Sequence, residues 1–172
     1  MSVFQESSQV ERTPRAVAIG SFDGVHRGHL SVLETVRRTG LAPTVITFDP
    51  HPRIALGNKV ELLTTLIRRL ELIAEAGIET TLVAAFTPEL LELTPEEFAA
   101  SYLRAIGAEV VVAGETFRFG VRRSGDLAVL ERLGFDVVVP PEVEGVSSTA
   151  IRAALTDGDI VEIGRASCRE RV

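Results

Sequence analysis

Five short apolar runs, each bounded by turn signals, constrain this chain more than any other feature. They read AVAIG (16–20), TVITF (44–48), TTLVAAF (80–86), EVVVAG (109–114) and FDVVV (135–139). Such runs, separated by segments of helical pattern, specify a parallel sheet with helices on both faces. The expected fold class is therefore α/β: a doubly wound, Rossmann-like five-stranded parallel sheet with ligands at the carboxyl ends of its strands. A helix is expected from about Gly28, carrying Leu30, Leu33 and Val36. A second is expected over Glu61–Ala76, where Leu62, Leu66, Leu70 and Ile73 keep the 3.6-residue period. Thr94-Pro95-Glu96-Glu97 is a capping box with proline at the first helical position, so a third helix should bury Phe98, Tyr102 and Ile106. A last helix from near Ser148 should bury Ile151 and Leu155.

Composition narrows the partners. The 172 residues are 45% hydrophobic and 24% charged, enough for one core and short for two. No run of about 18 apolar residues offers a membrane span, and the first fifteen residues lack the apolar stretch of a secretory signal. A cytoplasmic protein with no membrane partner is expected. The net charge of −6 argues against nucleic acid, whose phosphates require concentrated Lys and Arg. One cysteine, Cys168, excludes a disulfide and a Cys-based zinc site. The last eleven residues, Glu162–Val172, carry five charges, continue no apolar period, and read like an adapter oligonucleotide translated in frame. The expected domain is 1–161, with 162–172 a non-native tail.

Two of the three histidines, His26 and His29, lie in GSFDGVHRGH (20–29), between the first strand and the first helix. A doubly wound sheet places its phosphate site at this point. Gly20, Gly24 and Gly28 allow close backbone approach, and the helix N-terminus offers free N–H groups to an anion. Three residues apart at the helix entry, both imidazoles can face one phosphate. The GxGxxG fingerprint is absent, and Lys59 has no GxxxxGK before it. His51, the third histidine, adds no zinc motif, so no metal-ligating residues are assigned.

GSFDGVHRGH resembles the HxGH signature of the nucleotidyltransferase superfamily, in the form found in the FMN adenylyltransferase (FAD synthetase) module of bacterial bifunctional riboflavin kinase/FAD synthetases. Three further segments extend the resemblance in order: FDPHPR (48–53), GETFRFGVRRSGD (114–126), similar to GxDFRFGxxRxGD, and VSSTAIR (146–152), similar to ISSTxIR. The resemblance covers roughly 15–160 and departs at Thr116, where the family usually has Asp, and at Ala150, which is often Arg.

It implies transfer of the adenylyl group of ATP to FMN, giving FAD and pyrophosphate, with magnesium on the triphosphate. His26, His29 and Arg152 would be catalytic, the histidines at the α-phosphate. Gly20, Phe22, Asp23, Gly24, Gly28, Ser147, Ser148 and Thr149 would bind ATP, with the last three and Arg152 on the β- and γ-phosphates. Phe48, Pro50, His51, Pro52, Arg53, Thr116, Phe117, Arg118 and Phe119 would bind the flavin. The C-terminal riboflavin kinase barrel is not in the chain, so kinase activity is not expected, and a monomer or weak homo-oligomer is. Transfer to another phosphorylated acceptor, and a catalytically silent flavin- or nucleotide-binding fragment, remain as alternatives.

Overall fold

The computed structural model describes residues 1–141, 143 and 145–159. Its chain order is β1 (Ser2–Phe4), β2 (Arg15–Ile19), α1 (Arg27–Arg38), β3 (Ala42–Asp49), α2 (Pro52–Ala55), α3 (Leu66–Glu75), β4 (Thr80–Ala85), α4 (Pro88–Glu92), α5 (Pro95–Phe98, continued by a π-helical turn over Ala99–Arg104), β5 (Ala108–Val112), α6 (Leu127–Arg132), β6 (Asp136–Val138) and α7 (Ser148–Asp157). All strand pairs are parallel, in the order β1-β4-β3-β2-β5-β6. The chain steps outward from β2 to β4, then returns to the other side of β2 as β5. That reversal makes the carboxyl ends of β2 and β5 the topological switch point.

Two apolar layers cover the sheet. Leu33 and Val36 of α1 and Ile73 of α3 pack with Ala16, Ala18 and Val45 on one face. On the other, Phe98, Leu103 and Ile106 of the α5 segment and Leu130 of α6 pack with Val17, Ile46 and Val111. Beneath the amino ends of the strands Arg15 is buried, its guanidinium donating to Ile106 O, Glu11 O and the hydroxyls of Thr44 and Thr80.

Several expectations need correction. The sheet has six strands, not five, because residues 2–4 pair with β4 along its edge; three residues are too few to show a period. The helix expected from Glu61 starts only at Leu66, capped by Thr65, because the amides of Leu63 and Thr64 donate to Asp23 instead of entering a helix. In the α5 segment the bond from Ala105 N–H to Ala100 O is of π type, and the added residue in that turn shifts the stripe. Leu103 is thus fully buried and Tyr102 only half-buried. In α7, Ile151 is buried as expected, but Leu155 is 52% exposed and Ala154 takes the inner position, so the buried spacing is three residues rather than four. The expected tail, 162–172, lies outside the described residues.

Ile151→Ala should cost about 2–4 kcal/mol of stability and Leu155→Ala less than about 1 kcal/mol, measured by denaturant unfolding. Equal losses would contradict the observed orientation of α7.

Candidate active site

The β2–α1 loop carries most of the chemistry. Phe22 (φ 50°) and Val25 (φ 38°) hold left-handed backbone on either side of Asp23, next to Gly24 (φ 82°). Such conformations cost of order 1–3 kcal/mol each in a non-glycine residue. Both side chains are buried, which holds the loop in that shape. Asp23, 1% exposed, accepts the amides of Leu63 (3.1 Å) and Thr64 (3.0 Å), the Thr64 hydroxyl and the Arg152 guanidinium. Ser148 Oγ donates to Asp23 O, and Arg152 Nε donates to Glu61 O. The loop, the entry to α3 and the first turns of α7 are thereby joined. Ser147 caps α7, accepting the Ala150 amide, and Thr149 is exposed.

His26 caps α1: its Nδ1 accepts the His29 amide at 3.4 Å. A nitrogen that accepts holds no proton, so in the neutral ring the hydrogen is on Nε2, free to donate outward. The His29 ring stacks on His26 at 3.7 Å between centroids and tilts against Phe22. A Cβ on Gly28 would lie 3.2 Å from the His26 imidazole, so a larger residue there would push that ring by a few tenths of an ångström. The two histidines are thus brought together as expected, while Phe22 is a core side chain supporting them.

The PHPR segment (50–53) leads into a helix. His51 caps the one-turn helix α2, its Nδ1 accepting the Arg53 amide, because Pro52 at the first helical position presets the turn. A cleft of about 950 Å³ opens beside it, lined by Gly20 and Ser21 at the carboxyl end of β2 and by Phe48, Phe86, Phe117 and Phe119. Pro52, Thr116 and Arg118 also line it, whereas Pro50, His51 and Arg53 do not.

The sequence profile of the FAD synthetase family matches residues 8–152. This chain belongs to the FAD synthetase family. A bifunctional riboflavin kinase/FMN adenylyltransferase of Listeria monocytogenes is 35% identical over 162 residues, covering 86% of this chain and 52% of the relative. A FAD synthetase of the same species is 34% identical over 160 residues, 85% of this chain and 65% of that one. The chain spans about half the length of that bifunctional relative and of the one from Escherichia coli. A Streptococcus pneumoniae structure described as a macrolide-efflux protein superposes with a TM-score of 0.85 at 27% identity, covering 96% of this chain and 68% of that one. Among the described residues no helix is long and apolar enough to cross a membrane. Pantothenate synthetase from Thermus thermophilus, at 19% identity and a TM-score of 0.54, covering 92% of this chain and 69% of its own, shares the fold.

In this chain burial lowers all three histidines below the ordinary imidazole value. Burial lowers His26 from 6.5 to about 4, against the pull of Asp23. Burial again leads for His29, joined by the charges of His26 and Arg69, and holds it well below the ordinary value. His51 is lowered too, chiefly by burial. Neutral imidazoles donate one hydrogen each, which suits a phosphate that must be held and then released.

Sequence reasoning missed two residues here. Phe86, edge-on to Phe48, stands just past β4, where the carboxyl end of a strand is itself a signal. Arg69 occupies the buried stripe of α3 between Leu66 and Ile73, and a charge on an apolar stripe marks a special environment. Among the described residues no group of three or more His, Cys, Asp or Glu side chains is arranged to hold a metal ion.

A buried histidine lowered from 6.5 to about 4 binds its proton more readily in the unfolded chain. Its contribution is complete above pH 6.5 and is lost as the pH falls toward 4. The thermal midpoint should therefore drop across that interval. His26→Asn, which keeps a capping oxygen, should flatten the decline; an unchanged slope would contradict the assignment.

Proposed function

We propose that this chain transfers the adenylyl group of ATP to FMN, releasing pyrophosphate and forming FAD. The observation that carries the reading is that one loop, at the sheet's switch point, holds both the stacked His26–His29 pair and Gly20 and Ser21, which line an aromatic cleft. One part suits a phosphate and the other a flat apolar ring, joined where the two substrates would meet.

The chemistry asks for alignment more than for proton transfer. An FMN phosphate oxygen attacks the α-phosphorus, and the bond from that phosphorus to the bridging oxygen breaks. Pyrophosphate leaves with the electron pair. The second pKa of a phosphate monoester is about 6, so the nucleophile is largely a dianion at pH 7 and needs no base. The Nε2 hydrogen of His26, together with His29 and the positive end of the α1 dipole, would meet the charge growing on the α-phosphate oxygens. Arg152 uses Nη2 on Asp23 and Nε on Glu61 O, so its remaining Nη1 is the group for the β- and γ-phosphates. Ser147, Ser148 and Thr149, at the amino end of α7, would join it. Asp23 would act by holding Arg152 and the loop, and Gly20, Gly24 and Gly28 by letting the backbone come close. Magnesium would enter as part of the ATP substrate.

Phe48, Phe86, Phe117 and Phe119 would flank the isoalloxazine, with Thr116 and Arg118 at its polar edge. Pro50, His51 and Arg53 would act from behind, by shaping the loop that carries Phe48 and Pro52. A cytoplasmic location, and a monomer or weak homo-oligomer that takes FMN but not riboflavin, complete the proposal.

The test is to supply ATP, magnesium and FMN and measure FAD and pyrophosphate; no product would refute the reading. Riboflavin in place of FMN should give neither FMN nor FAD. His29→Ala should lower turnover by about 10²–10³-fold with the fold intact, as loss of one preorganised donor does elsewhere. Thr116→Asn should hold or raise activity, because an amide oxygen replaces a hydroxyl as acceptor on an exposed turn. A large loss would show that Thr116 makes a contact that Asn cannot.

A further inference from the structure

Arg69 is fully buried, yet it makes only part of the contacts a guanidinium can make. Its Nη1 donates to Phe48 O at 3.1 Å and to Thr47 Oγ1 at 3.4 Å, and Thr47 passes the connection on to Ser21 O. The α3 helix is thus tied to the carboxyl end of β3 and to the loop that begins the histidine motif. Nε and Nη2 of Arg69 have no hydrogen-bond partner among the described residues. The other buried side-chain polar atom in that condition, among those residues, is Nδ1 of His29.

The three orphans are complementary. Arginine offers only donors, while an imidazole nitrogen can accept if its ring is in the right tautomer. Leaving a buried donor unpaired costs about 1–3 kcal/mol. The groups also share one buried region: Arg69 reaches Ser21 O through Thr47, and the ring of Phe22, the next residue, rests against His29. Other charged and titratable groups in this region are His26, stacked on His29, Asp23 in the preceding loop, Asp49 and His51 at the end of β3, and Arg152 on α7. Burial lowers the Arg69 guanidinium below its ordinary value, and of these groups Asp23 and Asp49 oppose that shift.

We infer that Arg69 is a positioning residue for adenylyl transfer: from beneath the site it donates to His29 Nδ1 across one water, and so fixes the His29 proton on Nε2, aimed at the α-phosphate. Arg69 itself is fully enclosed and does not touch substrate. The pairing gives His29 the same tautomer that the helix cap gives His26, so that two parallel rings present two like donors to one phosphate. It rests on the adenylyl-transfer reading only for the last step, the delivery of the hydrogen to ATP.

The chain has three histidines, so the imidazole nitrogens can be resolved by ¹⁵N NMR of the whole protein and assigned with His26→Asn and His51→Asn. In the wild type, His29 should show an unprotonated, accepting Nδ1 and a protonated Nε2, and should titrate below 6.5. A protonated Nδ1 at pH 7 would overturn the inference without any variant having to fold. Arg69→Met removes both donor and charge. Its His29 should lose the single tautomer and titrate nearer 6.5, while kcat falls about tenfold to a hundredfold and KM for ATP and FMN changes little. Arg69→Lys, which keeps the charge and a donor, should recover part of both signals. A folded Arg69→Met with the wild-type His29 spectrum and wild-type kcat would refute the assignment. Absence of FAD formation by the wild type would refute the proposed function instead, and leave the tautomer measurement standing.

Discussion

A buried carboxylate organises this molecule's working end. Asp23 is a charge removed from water, which is tolerated only when donors surround it. Here they come from separate segments: two amides and a hydroxyl from residues 63–64, and a guanidinium from α7. Neither segment is adjacent to Asp23 along the chain. The demand of one anion for partners is what draws them together over the switch point. It also decides where α3 begins, since amides given to Asp23 are not available to a helix.

The same demand for local pairing bears on the net charge. The chain is acidic at −6, yet Arg152 pairs with Asp23 in the β2–α1 loop, and Arg69 is buried on α3. Local potential rather than total charge determines what a cleft attracts. The surplus acids lie elsewhere, as on the exposed faces of α3 and α4, where Glu71, Glu75 and Glu89 stand.

Much of this architecture is legible in the sequence itself. Five of the six strands follow from apolar runs bounded by turn residues, and the observed ends fall within two residues of the expected ones. The histidine pair is legible because its residue types are rare here and their place in the topology is informative. What cannot be read depends on contacts between distant segments. A three-residue edge strand has no period, and the early part of the α3 pattern is apolar and regular but loses its amides to Asp23. The buried stripe of α7 differs from the expected one by a single residue, Ala154 for Leu155, because both positions fit a helical spacing. Arg69 is hidden for a related reason: a periodic stripe tolerates one charged residue without losing its pattern, and the sequence does not reveal what lies opposite.

The ion pair between Asp23 and Arg152 closes a loop of 129 residues. Contacts so distant along the chain form only after nearly all of it has been ordered, because the entropy of closing the loop is met before the contact contributes. The sheet and its flanking helices can therefore assemble while α7 is still undocked. On the proposed function, ATP would need both sides of this junction and so would bind only the finished fold. By mass action it would then favour that fold over every earlier one, as a selective stabiliser of the last step of assembly.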